Sequence, residues 1–346
     1  MDQNEMKRVK EKQHMKKVIW MLMVMLTVCL IASCGKSSSN TPKATPVANE
    51  TKTIQQPKYP NGDITMLVPV KAGGDTDSYA RILCKYMTQE LGVNVTVENV
   101  DGASGTVGAR QVYDAKPDGN TLLFFHDAAI LSKISGVTDL QLSNYTIVCV
   151  PVLDTTSTLV VSAKKFSSPK DFFARAKGGE KIIASVAAGS LAALAPLELQ
   201  KALGCTFKYV DSTSAADRIA DLLAGRIDIF YTQYGTIKQY IQKGDFLSLG
   251  VMADERNKNF PEVPTLKEQG VDISMPKFFY VACPPKTPEY VVTALSSAIK
   301  KCCENPKMQE DLAKFFVSAK FMTPAESLDF VKNKEKNYES FADLLK

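Results

Sequence analysis

The sequence predicts an α/β protein with two lobes, each built around a sheet that helices cover. Between residues 59 and 346, short apolar runs alternate with segments in which apolar residues recur at helical spacing. The order strand, helix, strand, helix, strand occurs twice, and this order favours a parallel sheet in each lobe. A late strand and further helices follow the second set, so we expect the chain to return to the first lobe.

The elements of the first set are each marked by apolar pattern and by turn residues. Residues 64–69 form an apolar run before a glycine turn, which is typical of a buried strand. Residues 76–91 place apolar side chains on one helical face, and Gly92 ends the helix. The set continues with a strand at 94–98, a helix at 105–115 and a strand at 121–125.

The second set and the late elements follow the same signals. We predict strands at 181–185, 207–210 and 227–231, helices at 191–203 and 215–224, a late strand at 278–283, and helices at 288–304 and 324–345. We therefore assign residues 58–160 and 284–346 to lobe 1 and residues 161–283 to lobe 2.

The N-terminal segment has the pattern of an export signal. Six Lys and Arg residues precede residues 18–30, an apolar stretch shorter than the roughly 20 residues that span a bilayer. Ala32 and Ser33 stand directly before Cys34, the bacterial lipoprotein pattern in which the cysteine carries the lipid. We expect residues 1–33 to be removed, Cys34 to be lipidated on the extracytoplasmic face, and residues 34–57 to be a flexible tether. The alternative is a cleaved signal followed by an incidental cysteine.

Charge and composition exclude several classes of function. The net charge is +5, and residues 1–33 carry six basic and three acidic residues, which leaves +2 for the remainder. A nearly neutral chain does not indicate a nucleic-acid partner. His126 is the only histidine after residue 33, so no histidine-rich metal site is expected, and no cofactor is predicted.

The cysteines do not show metal-ligand spacing. Cys149 and Cys283 lie in apolar runs, where buried free thiols are expected; disulfides remain open, since connectivity cannot be read from sequence. The other cysteines after Cys34 are Cys84, Cys205, Cys302 and Cys303.

Three loops follow the carboxyl ends of predicted strands, where open α/β sheets place their ligands. In residues 70–77, Gly73 and Gly74 allow a sharp turn that exposes amides at a helix start, which suits a carboxylate or phosphate. The alternative is an ordinary turn that Thr76 or Asp77 caps.

The second and third loops carry few distinctive groups. His126 lies in the second, as a possible donor to a ligand or simply a loop residue. Residues 186–190 form the third, where small side chains and Ser190 open a helix; a tightly packed turn is the alternative. The sequence contains no G-x-S-x-G elbow, P-loop or H-E-x-x-H motif, so no enzyme is predicted.

At these loops the chain resembles the solute receptors of tripartite tricarboxylate transporters, the Bug-type receptors. Segments 97–109, 117–123, 221–228 and 260–270 continue in the family's order. The family's opening pattern, Y-P-x-x-x-I-x-x-x-V-P-x-x-x-G-G-x-x-D-x-x-A-R, is met by Tyr59, Pro60, Ile64, Val68, Pro69, Gly73, Gly74, Asp77, Ala80 and Arg81.

The resemblance implies a type II periplasmic-binding-protein fold with the ligand between two lobes. It implies that backbone amides of the first lobe bind a ligand carboxylate and that the third loop closes over its far end. The residues at the matching positions are Ala72, Gly73, Gly74, Asp75, Thr76, Asp77, His126, Asp127, Ala128, Ala188, Gly189 and Ser190.

Departures from the family pattern bear on specificity. Residues 211–214 replace a segment that usually contains Lys, and Asp211 adds an acid. We therefore expect a monocarboxylate, or an amino acid whose ammonium meets Asp211, rather than a multiply anionic ligand such as citrate; di- and tricarboxylates stay open. Tyr234, Phe278 and Phe279 are candidates for an apolar lid over the ligand.

The resemblance also implies partners. They are a large and a small integral membrane permease subunit that use an ion gradient, with the receptor held on the membrane by its lipid and expected to be a monomer. Two other functions remain open: a sensor that reports ligand to a membrane kinase, and an exported enzyme on the same scaffold.

Overall fold

The computed structural model describes residues 58–187, 190–212 and 214–345, with the side chains of 344 and 345 left aside. These residues form two mixed sheets flanked by helices, which confirms the two-lobed α/β prediction. Residues 1–57, which include Cys34, lie outside the described part. No helix among the described residues is both long and apolar enough to cross a membrane.

The first sheet has six strands in the order β11-β4-β10-β3-β1-β2. Strand β1 pairs in parallel with β2 and β3, whereas β10 runs antiparallel to β3 and β4. The strands are β1 Ile64–Val68, β2 Val95–Asn99, β3 Thr121–His126, β4 Thr146–Asp154, β10 Lys277–Cys283 and β11 Ser318–Met322.

The second sheet has five strands in the order β7-β6-β8-β5-β9. Strand β6 pairs in parallel with β7 and β8, and β5 runs antiparallel to β8 and β9. The strands are β5 Ser157–Ser162, β6 Ile182–Val186, β7 Phe207–Asp211, β8 Ile229–Gln233 and β9 Phe246–Val251.

Helices cover the faces of both sheets. In the first lobe they are α1 Asp75–Leu91, α2 Thr106–Tyr113, α3 Ala128–Ile134, α8 Glu289–Glu304, α9 Pro306–Ala313 and α10 Pro324–Glu339. In the second they are α4 Pro169–Lys177, α5 Leu191–Leu203, α6 Ala215–Leu223 and α7 Tyr234–Gln242, and the short α11 Ala342–Leu345 contacts α5.

The predicted lobe boundaries cut across the sheets. The boundary after residue 160 falls inside β5, which pairs wholly with the second sheet. The boundary after residue 283 places β10 in lobe 2, although β10 lies between β4 and β3 of the first sheet. Both errors arise because antiparallel pairing over long sequence distances leaves no local signal.

The cores are apolar and close-packed. The predicted strand residues Cys149 and Cys283 are fully buried with free thiols, as expected. Packing is close where α2 contacts the first sheet, because a Cβ on Gly108 would lie 2.7 Å from Leu67 Cδ2 and 2.7 Å from the Val100 carbonyl oxygen. This packing fixes α2, which begins at Thr106, one residue after the predicted start.

Candidate functional site

A cavity of about 200 Å³ opens between the lobes where strands β3 and β8 end. Open α/β sheets place their ligands at such carboxyl ends. The polar part of its wall comes from both lobes and consists of His126, Asp127, Ser190, Arg218, Tyr231, Thr232, Gln233 and Lys277. We take this cavity as the candidate ligand site.

Strand direction explains how Lys277 reaches the cavity. Strand β10 is antiparallel to β3, with Phe279 opposite His126, so the first residue of β10 lies beside the last residues of β3. Lys277 is 9% exposed, and its ammonium lies 5.0 Å from the Phe279 ring centroid. The first residue of this apolar strand therefore places a cation at the edge of the sheet where ligands bind.

The first loop meets this cation through Asp75. Lys277 Nζ lies 2.6 Å from Asp75 Oδ2, and the Thr76 amide donates to Asp75 Oδ1 at 2.6 Å. Burial acts to raise the pKa of the Asp75 carboxyl, but the Lys277 ammonium outweighs it and holds the pKa at about 2, with smaller help from His126 and the Thr76 amide. Asp75 is therefore ionised and compensates the charge of Lys277.

Asp77 is a structural residue of the first loop. Its carboxylate accepts from the Gly73 amide at 2.9 Å, from Arg81 Nε at 3.0 Å and from Asn99 Nδ2 at 3.0 Å. It is 4% exposed and absent from the cavity wall. Asp77 therefore holds the loop together and does not contact the cavity, and it is not the helix cap either, since the N-cap is Gly74 without a side-chain cap.

The glycine bend itself lies away from the cavity. Ala72, Gly73 and Gly74 are exposed and are not among the wall residues. The Gly73 amide, expected to bind ligand, already donates to Asp77. Thr76 is buried, and its hydroxyl donates to Asp75 at 3.1 Å. Of the six predicted residues in this loop, Asp75 alone is tied to a wall residue, through its ion pair with Lys277.

The second loop lies in the cavity wall, which includes His126, Asp127 and Ala128. His126 Nδ1 lies 3.2 Å from Asp127 Oδ1 and 3.2 Å from the Ala128 amide nitrogen. Burial, and then the nearby Lys277 ammonium, lower the pKa of His126 below 6.5, so the imidazole is neutral at pH 7. It offers a ligand a neutral ring nitrogen.

The third loop contributes Ser190, which also lines the cavity. Its hydroxyl donates to the Ala187 carbonyl at 2.7 Å and accepts from the Ala192 amide at 3.2 Å, which caps α5. The predicted contacts Ala188 and Gly189 lie outside the described residues. Ser190 thus fixes the start of α5 at the cavity wall.

Asp211 is not part of the cavity wall. It ends β7 opposite Val186 and is exposed. Arg218, in the second turn of α6, lines the cavity instead. The expectation that this wall lost a cation and gained an acid is therefore wrong, because the helix that follows the loop supplies a guanidinium.

Arg218 is strongly buried. It is 9% exposed, Nη1 donates to the Ser212 carbonyl at 2.8 Å, and Nε has no partner among the described residues. Burial lowers the pKa of the guanidinium, partly offset by Asp217 and Asp211. Even so, an arginine stays charged at neutral pH.

Sequence reasoning missed Arg218 and Lys277, although each carried a signal. Arg218 shares a helical face with Ala215 and Leu222, so it is a charge on the buried face of an amphipathic helix. Lys277 opens an otherwise apolar strand. Charged residues at core-facing positions are uncommon and deserve a functional interpretation.

The predicted apolar lid is wrong. Phe278 and Phe279 are fully buried within β10. The Tyr234 ring stacks on Phe260 with centroids 4.3 Å apart and is 3% exposed. All three side chains belong to the core.

The wall chemistry suits recognition of an anion. It combines two cations, a neutral imidazole and a helix start with one carboxylate, that of Asp127. Among the described residues, no group of three or more His, Cys, Asp or Glu side chains is placed to hold a metal ion.

Comparison with known proteins agrees with this geometry. The family profile described as "Tripartite tricarboxylate transporter family receptor" matches residues 79–342. Protein BugT of Bordetella pertussis is 27% identical over 311 residues, which cover 87% of this chain and 93% of BugT.

Two solved structures are similar over most of the chain. A TctC solute-binding protein from Polaromonas, solved without ligand, has a TM-score of 0.75 and 25% identity, covering 83% of this chain and 99% of its own. MatC from Rhodopseudomonas palustris, solved with bound malate, has a TM-score of 0.65 and 22% identity, covering 82% of this chain and 100% of its own. The MatC likeness shows the fold alone.

Proposed function

Because the chain belongs to the tripartite tricarboxylate transporter receptor family, we propose that it binds a small organic carboxylate in the cavity between its lobes. Members of this family are extracytoplasmic solute receptors rather than enzymes. The proposal for this chain rests on the cavity and on the charges around it.

One observation carries the proposal. The cavity lies at the carboxyl ends of strands from both sheets, and each lobe contributes a buried cation, Lys277 from the first and Arg218 from the second. A buried cation costs free energy unless an anion meets it. Asp75 already meets Lys277, and a carboxylate placed between the lobes would supply that anion to Arg218 while lying beside the first lobe.

The expected affinity fits a receptor that releases its solute. Hydrogen bonds to a charged group contribute about 1.5–3 kcal/mol each. Several such contacts are offset by the loss of water from the anion, and a net value near −8 kcal/mol corresponds to roughly micromolar affinity. Binding at that strength permits both capture and release.

A matched panel of acids and amides tests the proposal. The full chain, purified in detergent, is titrated by calorimetry with succinate, malate, citrate, glutamate and benzoate, and with the amide of each acid. We expect at least one acid to bind and its amide to bind more weakly. Binding of none of the acids, or equal binding of acids and amides, would contradict the proposal.

We further propose that the receptor is anchored by lipid at Cys34 and delivers its solute, as a monomer, to integral membrane permease subunits. The support is the pattern of small residues before Cys34 and the family's transporter role. A Cys34→Ser variant in a bacterial host should lose incorporation of labelled palmitate and leave the membrane fraction. Labelled, membrane-bound Cys34→Ser protein would count against the anchor.

Delivery has its own test. The receptor and the two permease subunits are expressed together in a host that lacks them, and uptake of the acid that binds is measured. Uptake should require the receptor and should collapse with the ion gradient. Uptake that persists without the receptor would count against delivery.

A further inference from the structure

The guanidinium of Arg218 is buried, at 9% exposed, and no carboxylate of a described residue is hydrogen-bonded to it. Asp217 and Asp211 act on it through their charge alone. Within the described part of the chain, its one hydrogen bond runs from Nη1 to the Ser212 carbonyl, a neutral acceptor. The other positive group of the cavity differs in this respect, since Lys277 lies 2.6 Å from Asp75 Oδ2. Among the described wall residues, Arg218 is therefore the cation that no carboxylate contacts directly.

The unused edge of Arg218 has the shape of a carboxylate site. Nη1 donates to Ser212, Nε is enclosed and has no partner among the described residues, and Nη2 makes no hydrogen bond to them. The two N–H groups along such an edge are parallel and match the two oxygens of a carboxylate. The Ser212 contact holds the plane of the guanidinium, so the edge has a fixed direction.

From these observations we propose that Arg218 binds the carboxylate of the solute through its Nε and Nη2 edge, from the second lobe. The inference rests on the proposed receptor function and deepens it. Arg218 then selects planar carboxylates over neutral isosteres, and the second lobe supplies the charged contact. The first lobe contributes the neutral imidazole of His126 and the Lys277–Asp75 pair.

Three variants separate this role from a structural one. Arg218→Met keeps much of the apolar volume and removes both the charge and the two parallel N–H groups. Arg218→Lys keeps the charge and removes the two parallel N–H groups. Arg226→Met is the matched control, because Arg226 lies in the same lobe but is 64% exposed and paired with Asp221. Each is titrated by calorimetry with the tightest-binding acid of succinate, malate, citrate, glutamate and benzoate, and with the corresponding amide.

We expect Arg218→Met to raise the Kd for the acid by about 10- to 100-fold, the range that follows from the loss of a charged hydrogen bond. The preference for acid over amide should disappear. Arg218→Lys should bind with intermediate affinity, and Arg226→Met should stay within about twofold of wild type. Unfolding of the ligand-free Arg218→Met protein should occur at the wild-type temperature or above it, since an unpaired buried charge is removed.

Each contrary result has a separate meaning. If Arg218→Met keeps the wild-type Kd and acid preference, the role of Arg218 is overturned while the receptor function stands. If it unfolds at a lower temperature and keeps its acid preference, Arg218 is structural and the proposal is wrong. Wild-type affinity in Arg218→Lys would contradict binding through the paired N–H groups of Nε and Nη2. If wild type binds none of the five acids, the receptor function and this inference fall together.

Discussion

Lys277 Nζ lies 2.6 Å from Asp75 Oδ2, and this ion pair joins residues 202 positions apart in the sequence. It connects the start of β10 to the start of α1 at the cavity edge. A carboxylate of the protein thus already occupies the cation of the first lobe. The cation that a solute can pair with is therefore Arg218, which has no carboxylate contact of this kind.

Asp75→Asn should strengthen binding of an organic acid. The substitution releases Lys277 from its carboxylate and adds to the wall a second cation without a direct carboxylate contact. We expect the Kd to fall by several-fold, because a partly exposed ion pair such as Lys277–Asp75 contributes about 0.2–1 kcal/mol. Calorimetry on wild type and variant checks this. Unchanged or weaker binding would mean that Lys277 does not face the bound anion.

The same residue predicts a dependence of stability on pH. The folded pKa of Asp75, about 2, lies below its ordinary value of 3.8, so the unfolded chain takes up the proton first as pH falls. Its contribution is therefore present above about pH 4 and is lost between about pH 4 and pH 2. Because the side chain is 39% exposed, the contribution should be only about 0.2–1 kcal/mol.

Urea unfolding of wild type and Asp75→Asn at several pH values isolates this contribution. The difference between the two proteins should shrink as the pH falls from 5 to 2. A difference that stays constant over this range would contradict the assignment.

His126 should titrate below its ordinary pKa of 6.5, because burial and the Lys277 ammonium both disfavour the imidazolium. Proton NMR of the imidazole measures the midpoint, and His126→Asn identifies the resonance. Lys277→Met should move the midpoint upward, and so should saturation with a carboxylate. A midpoint at or above 6.5 in the ligand-free protein would contradict the buried position of the ring.

Gly108→Ala should destabilise the first lobe. The new Cβ would meet the Val100 carbonyl oxygen and Leu67 at 2.7 Å, so α2 must shift away from the sheet. We expect the free energy of unfolding to fall by about 1–3 kcal/mol, although alanine favours a helix. Gly74→Ala is the control, because Gly74 has φ −82° and no atom within 4 Å of an added Cβ. Equal stability of the two variants would contradict the packing.

The fold was largely predictable because its local signals were strong. Helix α5 runs from Leu191 to Leu203 as predicted, since a serine cap and Gly204 bracket an apolar segment. The lobe boundaries were not predictable, because β5 and β10 join their sheets through antiparallel partners distant in sequence. Local pattern indicates that a strand exists but does not tell which sheet it joins.

The site was predictable only in part, for a related reason. His126, Asp127, Ala128 and Ser190 were found because strands that end in loops converge at one edge. Arg218 and Lys277 were missed because they reach the same edge from inside a helix and from the start of an antiparallel strand. Asp211 was expected to contact the ligand because it stands where the family usually has another segment, but it is exposed and lies outside the cavity wall.

A crystal structure of the full chain with the tightest-binding acid would show directly which groups bind the carboxylate. We expect the acid in the cavity between the lobes, with a carboxylate within hydrogen-bonding distance of Arg218 Nε and Nη2 and with His126 beside the ligand. An acid bound instead at the exposed Ala72–Gly74 bend, with the cavity free of it, would refute binding between the lobes.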